Sequence, residues 1–303
     1  MQNPDIILTD LSDEGLIRVS GTDAVAFLQG QLSTDVERLS PASSQLSSWN
    51  NAKGRVVTLL RVFRRGDDIY LALPQSLQAA VQKKLAMYVL RSKVTLTDAS
   101  KQWARLGIAG MDSPALLSQA GISLPTQASD MTARDDIQVI RLHGSTPRYA
   151  LYGNADALAA LHKRLEAAGA ASSEDAWALQ KILAGEPTVY SETSEHFVAQ
   201  MLDLDKLGGI DFKKGCYIGQ EVIARSHYRG GVKRHLARAS SDSAAPLKSG
   251  SEIHATGQDS PIAEVVDAQR DARGAWQMLL VIQDDARKMK LIHAASGAPV
   301  TLI

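Results

Sequence analysis

The chain of 303 residues contains one cysteine, Cys216. No intrachain disulfide can form, and C-x-x-C zinc or dithiol sites are excluded; a lone thiol suits a reducing compartment. Charge of one sign is also missing. Lys+Arg and Asp+Glu number 33 each, so the formal net charge is +0. That argues against coating nucleic acid or membrane by charge alone. Long apolar runs are absent: Val56–Leu60 and Met278–Ile282 fall far short of the roughly 20 residues of a spanning helix. The first residues show no basic segment leading into an apolar run, so cytoplasmic residence is expected. Aromatic residues make up 5%, which leaves few platforms for base stacking. No phosphate-binding or dinucleotide glycine motif, H-E-x-x-H or G-x-S-x-G elbow occurs. The seven histidines include no pair at i, i+4.

What is present is the composition of an ordinary soluble globular protein, with 45% hydrophobic and 22% charged residues. Short strands are expected over Ile6–Ser20, with a helix capped by Thr22 or Asp23 and carrying Val25, Leu28 and Leu32. Gln45–Phe63 reads as extended, Arg64–Asp68 as a turn, and Ile69–Leu73 as a returning strand. Val81, Leu85 and Tyr88 mark a helix, followed by a strand at Val94–Thr97. Trp103–Ala109, Ile137–Leu142 and Tyr149–Tyr152 read as strands, with Ser118–Asp136 as a long loop. Asn154 caps a helix bearing Leu158, Leu161 and Leu165. Another helix opens near Ser172, passes Trp177 and ends at Gly185-Glu186-Pro187. Beyond Gly230-Gly231 only short β-type runs recur, separated by Ser, Gly, Asp and Pro. The expected fold class is α+β with an all-β tail.

Chemistry concentrates in Asp211–Arg225. Cys216 follows Lys213, Lys214 and Gly215. Neighbouring cations favour a thiolate, so Cys216 is the candidate nucleophile, with Lys214 as its activating cation. Gly215 permits a tight turn or close ligand approach. Glu221 and Arg225 are four apart and would pair on a helix starting near Gly219. The plain alternative is a small buried cysteine beside an ordinary surface pair.

Lys214-Gly215-Cys216-Tyr217-Ile218-Gly219-Gln220-Glu221, followed by Arg225, resembles the signature of YgfZ-type folate-binding proteins, relatives of the aminomethyltransferase of glycine cleavage. The flanking runs Glu192–Gln200, Leu204–Ile210 and Tyr228–Arg234 fit the same family, as do Gly21–Leu32 and Lys53-Gly54-Arg55-Val56. The resemblance implies a three-domain ring around a folate pocket, with a C-terminal β-barrel. The corresponding division is a discontinuous folate-binding α+β domain (1–45 and 100–228), an inserted α+β domain (46–99) and a barrel (229–303). It further implies an accessory role for iron–sulfur enzymes, among them the enzyme that methylthiolates tRNA, with tetrahydrofolate or a derivative as ligand. Iron–sulfur enzymes and assembly proteins are the implied partners; tRNA contact would be indirect, and no membrane is involved. Cys216, Lys214 and Glu221 are then the reactive group. Arg55, Gln200, Gly215, Tyr217, Gln220, Arg225, Arg229 and Lys233 are the candidate folate contacts. Two positions depart from the aminomethyltransferase pattern. Val57 and Thr58 stand where the catalytic aspartate is expected, which argues against glycine cleavage. Leu183 replaces a glutamate that suits the N–H edge of a pterin, so that contact must come from elsewhere. A one-carbon transferase and a tRNA-binding module are the alternative functions. The second is suggested by the basic stretches Lys53–Arg65 and Arg225–Arg238.

Overall fold

The structure is a computed structural model that describes residues 6–134, 136–228 and 230–303. In chain order, β1 (Ile7–Asp10) and β2 (Glu14–Ser20) precede α1 (Ala24–Gln29). β3 (Ser44–Asn50), β4 (Val56–Arg65) and β5 (Asp68–Pro74) follow, then α2 (Gln75–Ala86) and β6 (Thr95–Asp98). Next come β7 (Ala104–Ala109), α3 (Ser113–Gln119), β8 (Met131–Arg134), β9 (Ile137–Arg141) and β10 (Arg148–Gly153). α4 (Ala155–Ala167), β11 (Ala171–Ser172), α5 (Glu174–Leu183) and α6 (Gln220–Tyr228) lead to the barrel strands. These are β12 (Arg234–Ser241), β13 (Glu252–Ala255), β14 (Pro261–Arg270), β15 (Trp276–Gln283), β16 (Leu291–His293) and β17 (Pro299–Leu302).

Three sheets result among the described residues. The first has the order β3-β4-β5-β2-β6, the second β11-β1-β7-β10-β9-β8, and the third closes as a barrel, β12-β15-β14-β13-β16-β17. Mixed α and β content with a closed C-terminal barrel is the expected fold class. The first sheet spans Glu14 to Asp98, so β2 and α1 join β3–β6, although the sequence division grouped them with 1–45.

Local chemistry explains most boundaries. Asn154 Oδ1 accepts from the backbone N–H groups of Asp156 and Ala157, capping α4. Leu158, Leu161 and Leu165 are buried by that helix. Ser173, one residue after the expected Ser172, caps α5 through Ala176 N. Asp23 caps nothing; its carboxylate accepts from Lys93 N and ties α1 to the approach to β6.

The Ser118–Asp136 segment is more ordered than a loop. The end of α3 enters it, and β8 pairs with β9 as a hairpin. α3 is only seven residues long, and the edge strand β8 is mostly outside the core, so neither leaves a strong apolar period. β12 is missed for a similar reason: its RHLARASS sequence reads as polar, yet it closes the barrel against β15 and β17.

The first two sheets meet through aromatics. Phe63 of β4 packs on Tyr152 of β10 with ring centroids 4.6 Å apart, and Tyr70 packs on Trp103 at 4.9 Å. Offset pairs of this kind add to their burial energy. The barrel joins through a core that unites Val266, Leu279 and Val281 with Ile182, Tyr217 and Ile223.

Candidate functional site

β10 is the wall around which the central cavity forms. Its residues alternate: Tyr149 and Leu151 enter the core beneath α4, while Arg148, Ala150 and Tyr152 face the other way. Opposite them stand Leu59 and Arg61 of β4 and Ala72–Pro74 of β5. Trp177 and Lys181 of α5, the segment Glu186–Thr188, Tyr190, and Asp13 and Glu14 also line it, with leucines that include Leu46 and Leu60. The cavity measures about 100 Å³, room for several waters.

Two buried arginines on its wall share one carboxylate. Glu186 Oε1 accepts from Arg61 at 2.9 Å and Oε2 from Arg148 at 2.6 Å. Burial alone would raise the Glu186 pKa, but Arg148, Arg61 and Lys181 outweigh it and hold it at about 2. Arg148 is fully buried and also donates to the His143 carbonyl, yet its Nη1 has no partner. Glu14 shows the opposite case. Burial raises its carboxyl to about 7, with only partial relief from the Tyr152 hydroxyl that donates to Oε1 at 2.8 Å. Desolvation opposes the charge on half-buried Lys181, but Tyr190, Asp267, Asp13 and Glu186 more than compensate, and its pKa rises. The Tyr190 hydroxyl donates to Asp267 of the barrel at 3.3 Å, linking the cavity wall to the third domain.

None of the expected site residues within the described part lines this cavity. Arg229 lies outside the described residues. Arg55 and Gln200 lie where the β3–β4 turn meets the signature, and the remaining ones lie in the signature itself or, for Lys233, at the barrel. Gly54 has φ +70°, and a Cβ there would sit 2.7 Å from Val222 Cβ; one on Gly219, at φ +82°, would sit 2.7 Å from the Asn51 carbonyl. Two glycines let these backbones touch. On its other flank the turn is held by Glu195–Val198. Asn51 Nδ2 donates to Glu195 at 2.8 Å, Arg55 Nη1 donates to the His196 carbonyl, and Val56 N donates to Phe197 O. Buried Gln200 donates to Ile223 O at 2.6 Å. Arg55 and Gln200 thus bind backbone at the junction.

Lys214 takes a different role from the one expected. It is buried, and its ammonium donates to the carbonyls of Gln29, Leu32 and Thr34 at 2.8, 2.6 and 2.7 Å. An ammonium has three protons, and all three are directed inward to the end of α1, leaving none for Cys216. Burial lowers its pKa to about 8, against the pull of Asp35 and Asp211, so it stays mostly charged at neutral pH. Its Nζ also lies 5.0 Å over the ring of buried Tyr217, whose hydroxyl burial raises to about 12. Cys216 itself is exposed, which removes the alternative of a buried structural cysteine. Gly215 has open space beside it and an ordinary φ, so no steric demand for glycine arises within the chain. Gln220 opens α6, and Glu221 and Arg225 form an exposed pair at 2.6 Å. Lys233 is exposed at the barrel edge. Val57 and Thr58 are buried in β4. Leu183 faces the cleft between α5 and the barrel.

The basic stretch Lys53–Arg65 is divided among partners. Arg61 serves the cavity, Arg55 the junction, and Arg65 pairs with Asp136 at 2.7 Å. Among the described residues no cluster of three His, Cys, Asp or Glu side chains is placed to hold a metal, and no helix is long and apolar enough to cross a membrane.

Comparison with known proteins now bears on this arrangement. The GCVT N-terminal domain family matches residues 3–143. The tRNA-modifying protein YgfZ of Klebsiella pneumoniae is 33% identical over 231 residues, covering 76% of this chain and 70% of the relative. This chain belongs to the YgfZ family. The YgfZ protein of Colwellia psychrerythraea is 30% identical, with 82% of this chain and 76% of the relative covered. Among solved structures, the aminomethyltransferase T of the Bartonella henselae glycine cleavage system superposes with a TM-score of 0.78. The match covers 99% of this chain and 85% of that one, at 14% identity. At that identity the likeness establishes an aminomethyltransferase fold. The YgfZ signature and the cavity are therefore two separate places on one scaffold.

Proposed function

We propose that this YgfZ-family chain is a folate-binding accessory protein that supports iron–sulfur enzymes, including a tRNA methylthiolation enzyme, and that it presents Cys216 as a reactive thiol. The observation that carries the folate part is the unpartnered, fully buried Arg148 Nη1 on the cavity wall. A buried donor without an acceptor is costly, and the carbonyl of a 4-oxo ring supplies one. Trp177 and Leu59 give that ring apolar walls, and the arginine pair fixed by Glu186 keeps the wall rigid. A bound folate would bring a carrier of one-carbon units. The chain's own contribution is to hold the ring, exclude water and keep its charges neutralised.

The thiol belongs to a different step. Cys216 is not among the lining residues, so it faces outward, toward a protein or sulfur-bearing client. One thiol cannot hold a cluster, which takes about four protein ligands; it can lend a single ligand in a transient complex. That the YgfZ relatives are tRNA-modifying proteins supports a client in tRNA modification. Val57 and Thr58 give no acid or base on β4, which disfavours aminomethyl transfer.

Calorimetry with tetrahydrofolate tests the folate part: saturable binding below millimolar concentration is expected, and none would end that reading. Assay of tRNA methylthiolation in a strain lacking this protein tests the client part. Undiminished methylthiolation in that strain would overturn it.

A further inference from the structure

The cavity wall carries three carboxyl groups, and they are not equivalent. Both oxygens of Glu186 are held by arginines. Asp13 is exposed. Glu14 is half-buried and has no salt bridge among the described residues. Among the described residues its carboxyl has one hydrogen bond, from the Tyr152 hydroxyl to Oε1 at 2.8 Å. The charged and titratable groups that act on it are Asp13 beside it, Tyr152 of β10, Lys181 of α5 and Arg105 of β7. A carboxylate has about four acceptor sites on its two oxygens, so Tyr152 leaves most of that capacity unused. Tyr152 also fixes the orientation of the group from a rigid strand.

We propose that Glu14 reads the adjacent N–H donors of the folate ring and gives up its proton to solvent as it does so. This rests on the folate reading above and supplies the contact that Leu183 does not make. The 2-amino group and the neighbouring ring N–H of a 4-oxopterin point the same way, and two parallel donors match two carboxylate oxygens. A neutral carboxyl presents an O–H donor at that edge and is mismatched. The balance is simple: Glu14-COOH plus ligand gives Glu14-COO⁻ bound to ligand, plus one proton released. No redox change or further reactant is needed. Because the free carboxyl titrates near neutrality, the coupling falls within an accessible pH range.

The experiment is calorimetry on the full chain with tetrahydrofolate, and with tetrahydropterin lacking the glutamate tail, from pH 5.5 to 8.5 in buffers of differing ionisation enthalpy. Affinity should rise about tenfold per pH unit below neutrality and level off above it. Release of about one proton per ligand is expected near pH 6. Glu14→Gln, which keeps the shape, should flatten this profile and weaken binding at pH 8 by about 10- to 100-fold. Asp13→Asn should retain the slope. Persistence of the slope in tetrahydropterin shows that the tail is not its source. If both ligands bind the native chain with flat pH profiles, or if Glu14→Gln keeps the slope, the role of Glu14 is overturned while folate binding stands. Absence of binding by either ligand at every pH overturns both.

Discussion

The central cavity and the Cys216 segment share the β3–β4 hairpin but follow different physical rules. Mid-strand residues of the hairpin, Leu46 and Leu59–Arg61, line the cavity, while its turn, Asn51–Gly54, is pressed against the signature at Gly219 and Val222. In the cavity, Glu186 is paired with arginines from two sheets, and burial and these charges move Glu186 and Glu14 in opposite directions from the ordinary carboxylate range. At the signature, one lysine is buried as a strut, and the thiol and the Glu221–Arg225 pair are left at the surface. The two regions should therefore answer differently to mutation. Cavity changes should alter stability and its pH dependence, while loss of the thiol should alter function with little effect on stability.

The largest effect is expected at Glu186. Glu186→Ala leaves Arg61 and Arg148 facing each other in a buried site without their counter-ion. Removing one partner of a buried pair costs about 3–5 kcal/mol, and urea unfolding of the purified chain measures it. A loss below about 1 kcal/mol would mean that water reaches the arginines and solvates them in place of the carboxylate.

Glu14 should give the next largest effect, with the opposite sign. Burial moves its carboxyl to about 7 in the folded chain, against an ordinary value of about 4.5. Between those values the folded chain keeps a proton that the unfolded chain has released, so stability falls as pH rises from 4.5 to 7 and is level above. At about 1.4 kcal/mol per unit the full penalty is about 3 kcal/mol. Glu14→Gln should remove it, stabilising the chain at pH 8 and leaving it nearly unchanged at pH 4. Unfolding curves at the two pH values test this; equal effects at both would show that Glu14 is solvated.

These cavity residues were the least legible part of the sequence. Glu14, Arg61, Arg148 and the Glu186–Tyr190 stretch come from four separate segments, and no motif spacing connects them. A weaker signal was present. Arg61 interrupts the apolar run Val56–Phe63, and Arg148 opens the apolar strand Tyr149–Tyr152; an arginine inside a buried strand needs a buried partner. The signature was legible because its residues are contiguous, and the family likeness brought the fold with it. Periodicity found α4 through Leu158, Leu161 and Leu165, and an all-β tail through its short runs; that the tail is a barrel came with the family likeness. It could not find β8 or β12, where the edge position and polar composition remove the alternation. It also could not tell which way Lys214 points, because that depends on carbonyls some 180 residues earlier in the chain.

Lys214 sharpens the contrast from the signature side. Lys214→Met would keep much of the stem but leave the carbonyls of Gln29, Leu32 and Thr34 without their donor. A loss of about 2 kcal/mol is expected, the usual scale for stranded buried acceptors. The same variant separates strut from activator. Because the ammonium faces the end of α1, the pH midpoint for iodoacetamide alkylation of Cys216 should stay where it is in the native chain. An upward shift at unchanged fold would show that the charge reaches the thiol after all.

Cys216→Ala is expected to have the smallest effect on the molecule and a complete one on its role. The thiol is exposed and enters none of the five buried cores, so its removal opens no cavity, and surface substitutions of this kind stay within about 0.5 kcal/mol. The cavity is lined by other segments, so tetrahydrofolate affinity should be unchanged in the calorimeter. No second cysteine exists to take over attack on sulfur or the lending of an iron ligand. Methylthiolation of tRNA in a strain carrying only the variant, at normal protein level, should therefore fall to that of the strain lacking the protein. Full complementation would place the working chemistry in the cavity alone, with the signature reduced to the junction that Lys214, Gly219 and Gly54 build. A loss of folate affinity in the variant would instead show that the two regions are coupled through the β3–β4 hairpin, since that hairpin contributes to both.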